Sequence, residues 1–324
     1  SWAQHLGGVE KETCLGDLLY TAATSRTHFE ERIALEVSSL PEVIDALNFI
    51  ARGEDPGGLI DSGNQKKSKV AFLFTGQGSQ YAQMGLELFR EYPVFRHALE
   101  ETAFYLDPHL PRTLLSVMFA DPNSQDAVFL DQTQYTQAAL FAFEVALAEL
   151  WKSWGVLPQY LLGHSIGELS AAYVGGMLSL KDACSLVGAR GRLMQSCRSG
   201  GGMASIFATE REVRERIAQE HTQVDIAGLN GESQTVISGD LSAVRKVADY
   251  FEKHGRMVHL LNVSHAFHSF HMDSMLEDFR RVAQGCLFRA SKIPIVSNVT
   301  GQLISEAEII SPDYWVRHVR EAVR

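Results

Sequence analysis

Apolar and polar positions along the chain change their spacing in three stages. Leu15 to Thr24 and Pro41 to Arg52 have helical spacing, the second with Pro near its first turn, and Arg32–Val37 between them alternates like a strand. Gly53 to Lys69 is rich in Gly, Asp, Ser, Asn and Lys and reads as a linker, so a small α/β unit precedes the main body. The main body opens on Val70-Ala-Phe-Leu-Phe74, a continuous apolar run suited to a buried strand, which runs into Thr75-Gly-Gln-Gly-Ser-Gln80. Helical patterns continue through Tyr105, from Gln137 to Trp151, and from about Leu180 to Gln195. Ahead of the last of these, the apolar run Gln159-Tyr-Leu-Leu162 meets Gly163-His-Ser-Ile-Gly167 and then the helix-like Glu168–Val174. Beyond a hinge-like stretch, Cys197 to Gly202, the elements become short and regular. Strands at Met203–Ala208, Val224–Leu229, Gln234–Ser238 and Met257–Leu261 and helices at Glu210–Gln219 and Leu241–Lys253 spell β-α-β-β-α-β, the split βαβ of a ferredoxin-like subdomain. This unit reads as an insertion in a larger α/β domain that resumes near Val263. The chain has no internal repeat and no low-complexity segment.

Composition narrows the class. A chain of 324 residues can bury a large core and form more than one domain. A net charge of -10 argues against nucleic acid and acidic membrane surfaces as partners. No apolar run approaches the ~18 residues of a membrane span, and no signal peptide leads the chain. Cys14, Cys184, Cys197 and Cys286 are scattered without a C-x-x-C pair. They read as reduced thiols of a cytoplasmic protein, with neither a disulfide framework nor a zinc site, and no metal is expected. Both ends read as internal sequence, as in a piece of a longer polypeptide.

The chemistry centres on Ser165. A Gly-x-Ser-x-Gly turn between strand and helix needs small flanking residues, because the turn is sharp and the serine must stand exposed. A serine nucleophile needs a base, usually histidine. Candidates cluster in Val263-Ser-His-Ala-Phe-His-Ser-Phe-His-Met-Asp273, where the chain leaves the insertion, and His164 is a rival beside the serine. Asp225, Asp240 and Asp249 precede the cluster but fall in the inserted unit, so a Ser–His dyad with a backbone carbonyl fixing the imidazole is expected. Gly76-Gln-Gly78 at the end of the first core strand and the N–H of Ile166 are candidate oxyanion donors. Arg190 closes a mainly apolar helix. It reads either as a cation answering the helix dipole or as a fork for a substrate carboxylate.

Phe74-Thr-Gly-Gln-Gly-Ser-Gln80, Gly163-His-Ser-Ile-Gly167, Arg190 one helix later and Ser264-His-Ala-Phe-His268 together resemble the acyltransferase domains of modular type I polyketide synthases. More distantly they are similar to the malonyl-CoA:acyl carrier protein transacylases of fatty acid synthesis. The resemblance covers nearly the whole chain. Leu15–Phe29 is similar to the linker between ketosynthase and acyltransferase, and Tyr314–Arg324 to the family's C-terminal end. It implies an α/β-hydrolase-like large subdomain (68–198 and 263–324) with an inserted ferredoxin-like subdomain (199–262), preceded by a linker domain (1–67). It implies Ser165 as nucleophile, His268 as base, backbone N–H groups of Gln77 and Ile166 as oxyanion donors, and Arg190 on the carboxylate of a dicarboxylic acyl-CoA. It also implies that the backbone carbonyl of Asn298 orients the histidine.

The partners so implied are a coenzyme A thioester, the phosphopantetheine thiol of an acyl carrier protein, and an adjacent ketosynthase in the same polypeptide. No cofactor would stay bound. The resemblance also bears on selectivity. Malonyl members tend to carry His-Ala-Phe-His where methylmalonyl members carry Tyr-Ala-Ser-His, and this chain has His265, Phe267 and His268 in the malonyl pattern. Phe267 would fill the space of an α-methyl. Ile166 in place of glutamine and Tyr135-Thr-Gln137 also look malonyl-like, and His164 and Gln137 join the expected pocket. Phe270 and His271 depart from the Pro and Leu common there, and Glu232 from a common Pro. A methylmalonyl transferase, an editing thioester hydrolase and a non-catalytic scaffold are the competing readings.

Overall fold

Strand formation in the main body follows its apolar runs. Ala71–Phe74, Tyr160–Gly163 and Ile295–Val296 form a parallel three-stranded sheet with Tyr160–Gly163 in the middle. Helix Gly167–Val174 packs on this sheet, helices Thr133–Ser153 and Leu180–Gln195 pack on that helix and on each other, and Pro93–Leu106 packs on both of these. The structure is a computed structural model, and it describes residues 2–8, 14–27, 29, 32–57, 60–61, 69–220 and 223–324. The chain forms two compact units, Ser1–Ser68 and Lys69–Arg324.

In the first unit the helices Trp2–Gly7, Leu15–Thr24 and Leu40–Ala51 accompany two short antiparallel strands, Ile33–Ala34 and Ile60–Asp61. Ser39 accepts from Glu42 N–H, and the Glu42 carboxylate accepts from Ser38 N–H, a reciprocal cap that starts the last helix. Among the described residues, the strand expected over Arg32–Val37 comprises the two exposed residues Ile33 and Ala34, which pair with Asp61 and Ile60. Of the expected linker, residues 58–59 and 62–68 lie outside the described residues.

In the second unit helix Thr133–Ser153 is apolar nearly all round, which suits a helix buried on most sides. Helix Leu180–Gln195 starts at Ser179, whose hydroxyl accepts from Asp182 N–H. The run Val70–Phe74 is less enclosed than expected. Ala71–Phe74 is an edge strand, and Leu73 is 69% exposed while Phe74 is buried. The antiparallel sheet has the order Val224–Gly231, Gln234–Asp240, Gly201–Ile206, Val258–Leu261. Helices Glu210–Glu220 and Leu241–Lys253 join its strands in the expected β-α-β-β-α-β sequence. It has its own core of Ala204, Ile206, Val213, Ile237, Val244 and Val247, separate from the larger core below the parallel sheet. The fold is α/β, with this ferredoxin-like subdomain inserted in an α/β-hydrolase-like one.

Candidate active site

The elbow exists because two glycines allow it. A Cβ on Gly163 would overlap the backbone of Gly167 and Glu168, and one on Gly167 would sit 2.5 Å from the carbonyl oxygens of Phe74 and Thr75. Ser165 takes the left-handed conformation at φ 51°, costly for a residue with a Cβ. Asn298 holds it there. Its Oδ1 accepts Ser165 N–H at 2.6 Å, and its Nδ2 donates to Gly163 O.

His268, also at positive φ (55°), brings Nε2 to 2.9 Å from Ser165 Oγ. Its Nδ1 donates to the carbonyl of Glu321 at 2.9 Å, which leaves Nε2 free to accept the serine proton. This corrects the expectation for Asn298. The Asn298 carbonyl accepts Arg324 N–H at 2.8 Å, so it is engaged by the C-terminal strap, whose Glu321 carbonyl faces the histidine instead. Val323 exchanges backbone hydrogen bonds with the edge strand of the inserted sheet, its N–H donating to Ala227 O and its O accepting Leu229 N–H, which fixes the strap in place. Burial and then the Arg190 charge hold the His268 imidazole down at about 3.

Arg190 lies within its helix rather than at the end, fully buried at 1% exposure. It donates from Nη2 to Ser165 Oγ at 3.0 Å, and its Nε meets no acceptor among the described residues. Burial lowers its pKa to about 9 against the opposing pull of the Glu168 carboxylate. The dipole-cap alternative for Arg190 therefore fails on position.

The cavity above Ser165, about 210 Å³, lies between the two subdomains of the second unit. Gln77, His164, Ser165, Arg190 and His268 supply its polar wall, and Met194, Met203, Val236, Leu261 and Phe267 much of its apolar wall. His164 turns from the serine to Asn230 Oδ1 at 3.1 Å, so it is not the base in this arrangement. Gln137 and His265 do not line the cavity. Gln137 donates to Gln77 Oε1 at 2.8 Å from behind, and His265 Nδ1 meets Ser264 Oγ at 2.9 Å. The Ile166 side chain is wholly buried in the core, so only its backbone is available to the site.

Two buried carboxylates, Glu144 and Glu168, belong to no motif in the sequence. Glu168, one residue past the elbow, accepts Asn298 N–H at 2.7 Å and the Tyr314 hydroxyl. Glu144 accepts Thr75 N–H at 2.6 Å and Ser170 Oγ at 2.7 Å, tying the Gln77 loop to the helix behind Ser165. Burial pushes both up to about 7. Glu144 could have been found as a lone acid in the apolar stretch Ala138–Val145. The Glu321 carbonyl could not, because a backbone group leaves no residue signature.

The chain matches the acyl transferase domain family over residues 71–324. It is 45% identical over 309 residues to the polyketide synthase GfsA of Streptomyces halstedii, covering 95% of this chain and 4% of that protein. The chain spans less than a fifth of the length of the curated relatives it matches. It superposes on the acyltransferase domain from the second module of the salinomycin polyketide synthase with a TM-score of 0.81 at 42% identity, covering 96% of this chain and 72% of that one. The malonyl CoA-acyl carrier protein transacylase of Coxiella burnetii superposes with a TM-score of 0.72 at 30% identity, covering 79% of this chain and 81% of that one. The chain therefore belongs to the acyl transferase domain family, with polyketide synthases as its relatives and their acyltransferase domains as its structural neighbours.

Proposed function

We propose that the chain transfers a malonyl group from malonyl-CoA, through an ester on Ser165, to the phosphopantetheine thiol of an acyl carrier protein. The observation that carries this reading is Arg190, a buried guanidinium with an unpartnered Nε, 3.0 Å from the serine oxygen. A cation costs much free energy to bury and is retained where it meets an anion. A substrate carboxylate one methylene from the thioester carbon would place that anion beside Ser165.

In the first half-reaction Ser165 Oγ attacks the thioester carbonyl carbon while its proton passes to His268 Nε2. The tetrahedral oxyanion takes the N–H groups of Gln77 and Ile166. Collapse breaks the C–S bond, and the coenzyme A sulfur leaves with the proton from His268. The second half-reaction runs the same steps with the carrier-protein thiol as attacking group. The cavity, about 210 Å³, has room for a short acyl group. That size and Arg190 favour transfer of a short dicarboxylic unit over hydrolysis of long chains. Phe267 on the cavity wall supports malonyl over methylmalonyl, a discrimination worth roughly 1–3 kcal/mol for one methyl. The first unit, similar in sequence to a ketosynthase–acyltransferase linker, would join the domain to its neighbour.

Intact-mass measurement after exposure to acetyl-, malonyl- and methylmalonyl-CoA tests this. Malonyl-CoA should add one malonyl group to the parent and none to Ser165→Ala. Equal loading of the acetyl and malonyl groups, or loading of the alanine variant, would overturn the reading.

A further inference from the structure

Two aspartates of the inserted sheet reach the turn that follows His268. Asp225 accepts the Phe270 backbone N–H at 2.8 Å, and Asp240 Oδ1 takes His271 Nε2 at 2.8 Å. They lie near the same end of adjacent strands, since Asp225 pairs with Ser238, two residues before Asp240. Neither makes a hydrogen bond to His268, whose ring nitrogens meet Ser165 and Glu321.

The His271 side chain is fully buried at 0% exposure, whereas Asp240 is 34% exposed. Its Nδ1 meets no partner among the described residues, so the tautomer protonated on Nε2 satisfies the pair. Asp240 occupies the N-cap position of helix Leu241–Lys253, yet its side chain makes no cap hydrogen bond. An aspartate there ordinarily accepts a backbone N–H, and this one is turned to His271 instead. Arg198, in the segment leading into the inserted sheet, binds the same carboxylate and lies over the Phe270 ring at 5.9 Å. Gly201 permits the close approach. A Cβ there would stand 2.6 Å from Ala266 Cβ and 3.2 Å from His271 Cε1.

The turn being gripped carries a strained backbone. His268 sits at φ 55°, and such a conformation persists only where its surroundings over-determine it. Ser269 Oγ donates to Ala266 O at 2.6 Å and accepts His271 N–H at 3.2 Å, which links the residues on either side of His268. The Glu321 carbonyl fixes the ring but not the backbone that carries it.

We propose that His271 and Asp240 are positioning residues for the base: their hydrogen bond clamps the His268 turn to the inserted subdomain and sets the reach of Nε2 to Ser165. The clamp rests on the reading of Ser165 and His268 as nucleophile and base. Displacement of a reacting group by about 1 Å costs up to a hundred-fold in rate, with little change in binding.

The whole chain is assayed as His271→Leu, Asp240→Ala, Asp240→Asn and the double variant His271→Leu/Asp240→Ala. A fluorophosphonate probe reports the reactivity of Ser165 whatever the acyl substrate, and malonyl-CoA gives kcat and KM for acylation. His271→Leu and Asp240→Ala should each lower the labelling rate and kcat about ten-fold or more with KM within about two-fold, counted per folded molecule. The double variant should lose no more than either single one. Asp240→Asn keeps an acceptor oxygen and should recover to within about three-fold of the parent. Labelling within two-fold of the parent in both single variants, multiplied losses in the double variant, or an effect confined to KM would overturn the clamp. If His271→Leu does not fold, Asp240→Ala at its half-exposed position decides alone. If the parent reacts with the probe but forms no malonyl ester, the proposed substrate falls, and the probe rates still judge the clamp.

Discussion

Arg190 and His268 share one electrostatic problem. Both are buried, and the Arg190 charge adds to burial in holding His268 at about 3. As the proposed base, His268 must be neutral to accept the Ser165 proton; the downward shift favours that form, and the acid limb of acylation should fall well below the ordinary histidine range. A carboxylate bound on Arg190 offsets that charge, and the imidazole regains basicity as the substrate arrives. A dicarboxylic acyl group would thus strengthen its own general base. Arg190→Ala should cost malonyl transfer far more than acetyl transfer, by about 2 kcal/mol or more for a charged hydrogen-bonded pair. It should also move the acid limb of acetyl transfer upward, because the charge lowering His268 is gone. A pH–rate profile of acylation checks both, and equal losses for the two acyl groups with an unmoved limb would remove Arg190 from the site.

At the scale of elements, the Ser165 turn depends on how closely a strand, a turn and a helix can approach. The carbonyls of Phe74 and Thr75, at the end of one strand, press on Gly167 at the start of the helix. Gly163, on the neighbouring strand, leaves no room for a Cβ against the turn. Gly163→Ala should cost about 3 kcal/mol of stability or more, since backbone atoms cannot repack as side chains do. Denaturant midpoints of the parent and variant measure this. A loss under 1 kcal/mol would show that the elbow can open without penalty. Asn298 and Glu168 form the other half of the brace, joining the third strand of the parallel sheet to the same turn.

For the whole molecule, every residue around the Ser165 cavity belongs to Lys69–Arg324. That unit has two cores of its own, below the parallel sheet and within the inserted subdomain. A fragment of residues 69–324 should therefore fold and label on Ser165 within about three-fold of the full chain, as expected of a domain with its own core. Circular dichroism with probe labelling decides the matter. A folded but unreactive fragment would mean that residues 1–68 support the site. The cavity itself is a product of assembly at this scale. Its floor comes from the elbow and the Arg190 helix, its roof from the inserted sheet, and one edge from Val323 on the C-terminal strap.

The sequence by itself determined the α/β class, the split βαβ insertion and the identity of the main chemical groups. Apolar periodicity places helix Leu180–Gln195 and helix Leu241–Lys253 at their observed limits, because both bury one consistent face. The elbow was legible because its glycines are a local steric necessity. Ser165, His268 and Arg190 could be named because each carries its chemistry in its own side chain, and Gln77 because Gly76 and Gly78 mark its loop. Contacts made by the backbone or across the fold were not legible. Tertiary structure alone decided that the Glu321 carbonyl, and not that of Asn298, faces His268, since any residue type can present that oxygen. It alone exposed the edge of the Ala71–Phe74 strand, since an apolar run does not say how many neighbours it has. It alone joined Asp240 to His271 across 31 positions of sequence, turning two polar residues with no assigned role into a tie between the subdomains. Local sterics are written in neighbouring residues, whereas hydrogen bonds between distant ones exist only once packing has brought them together.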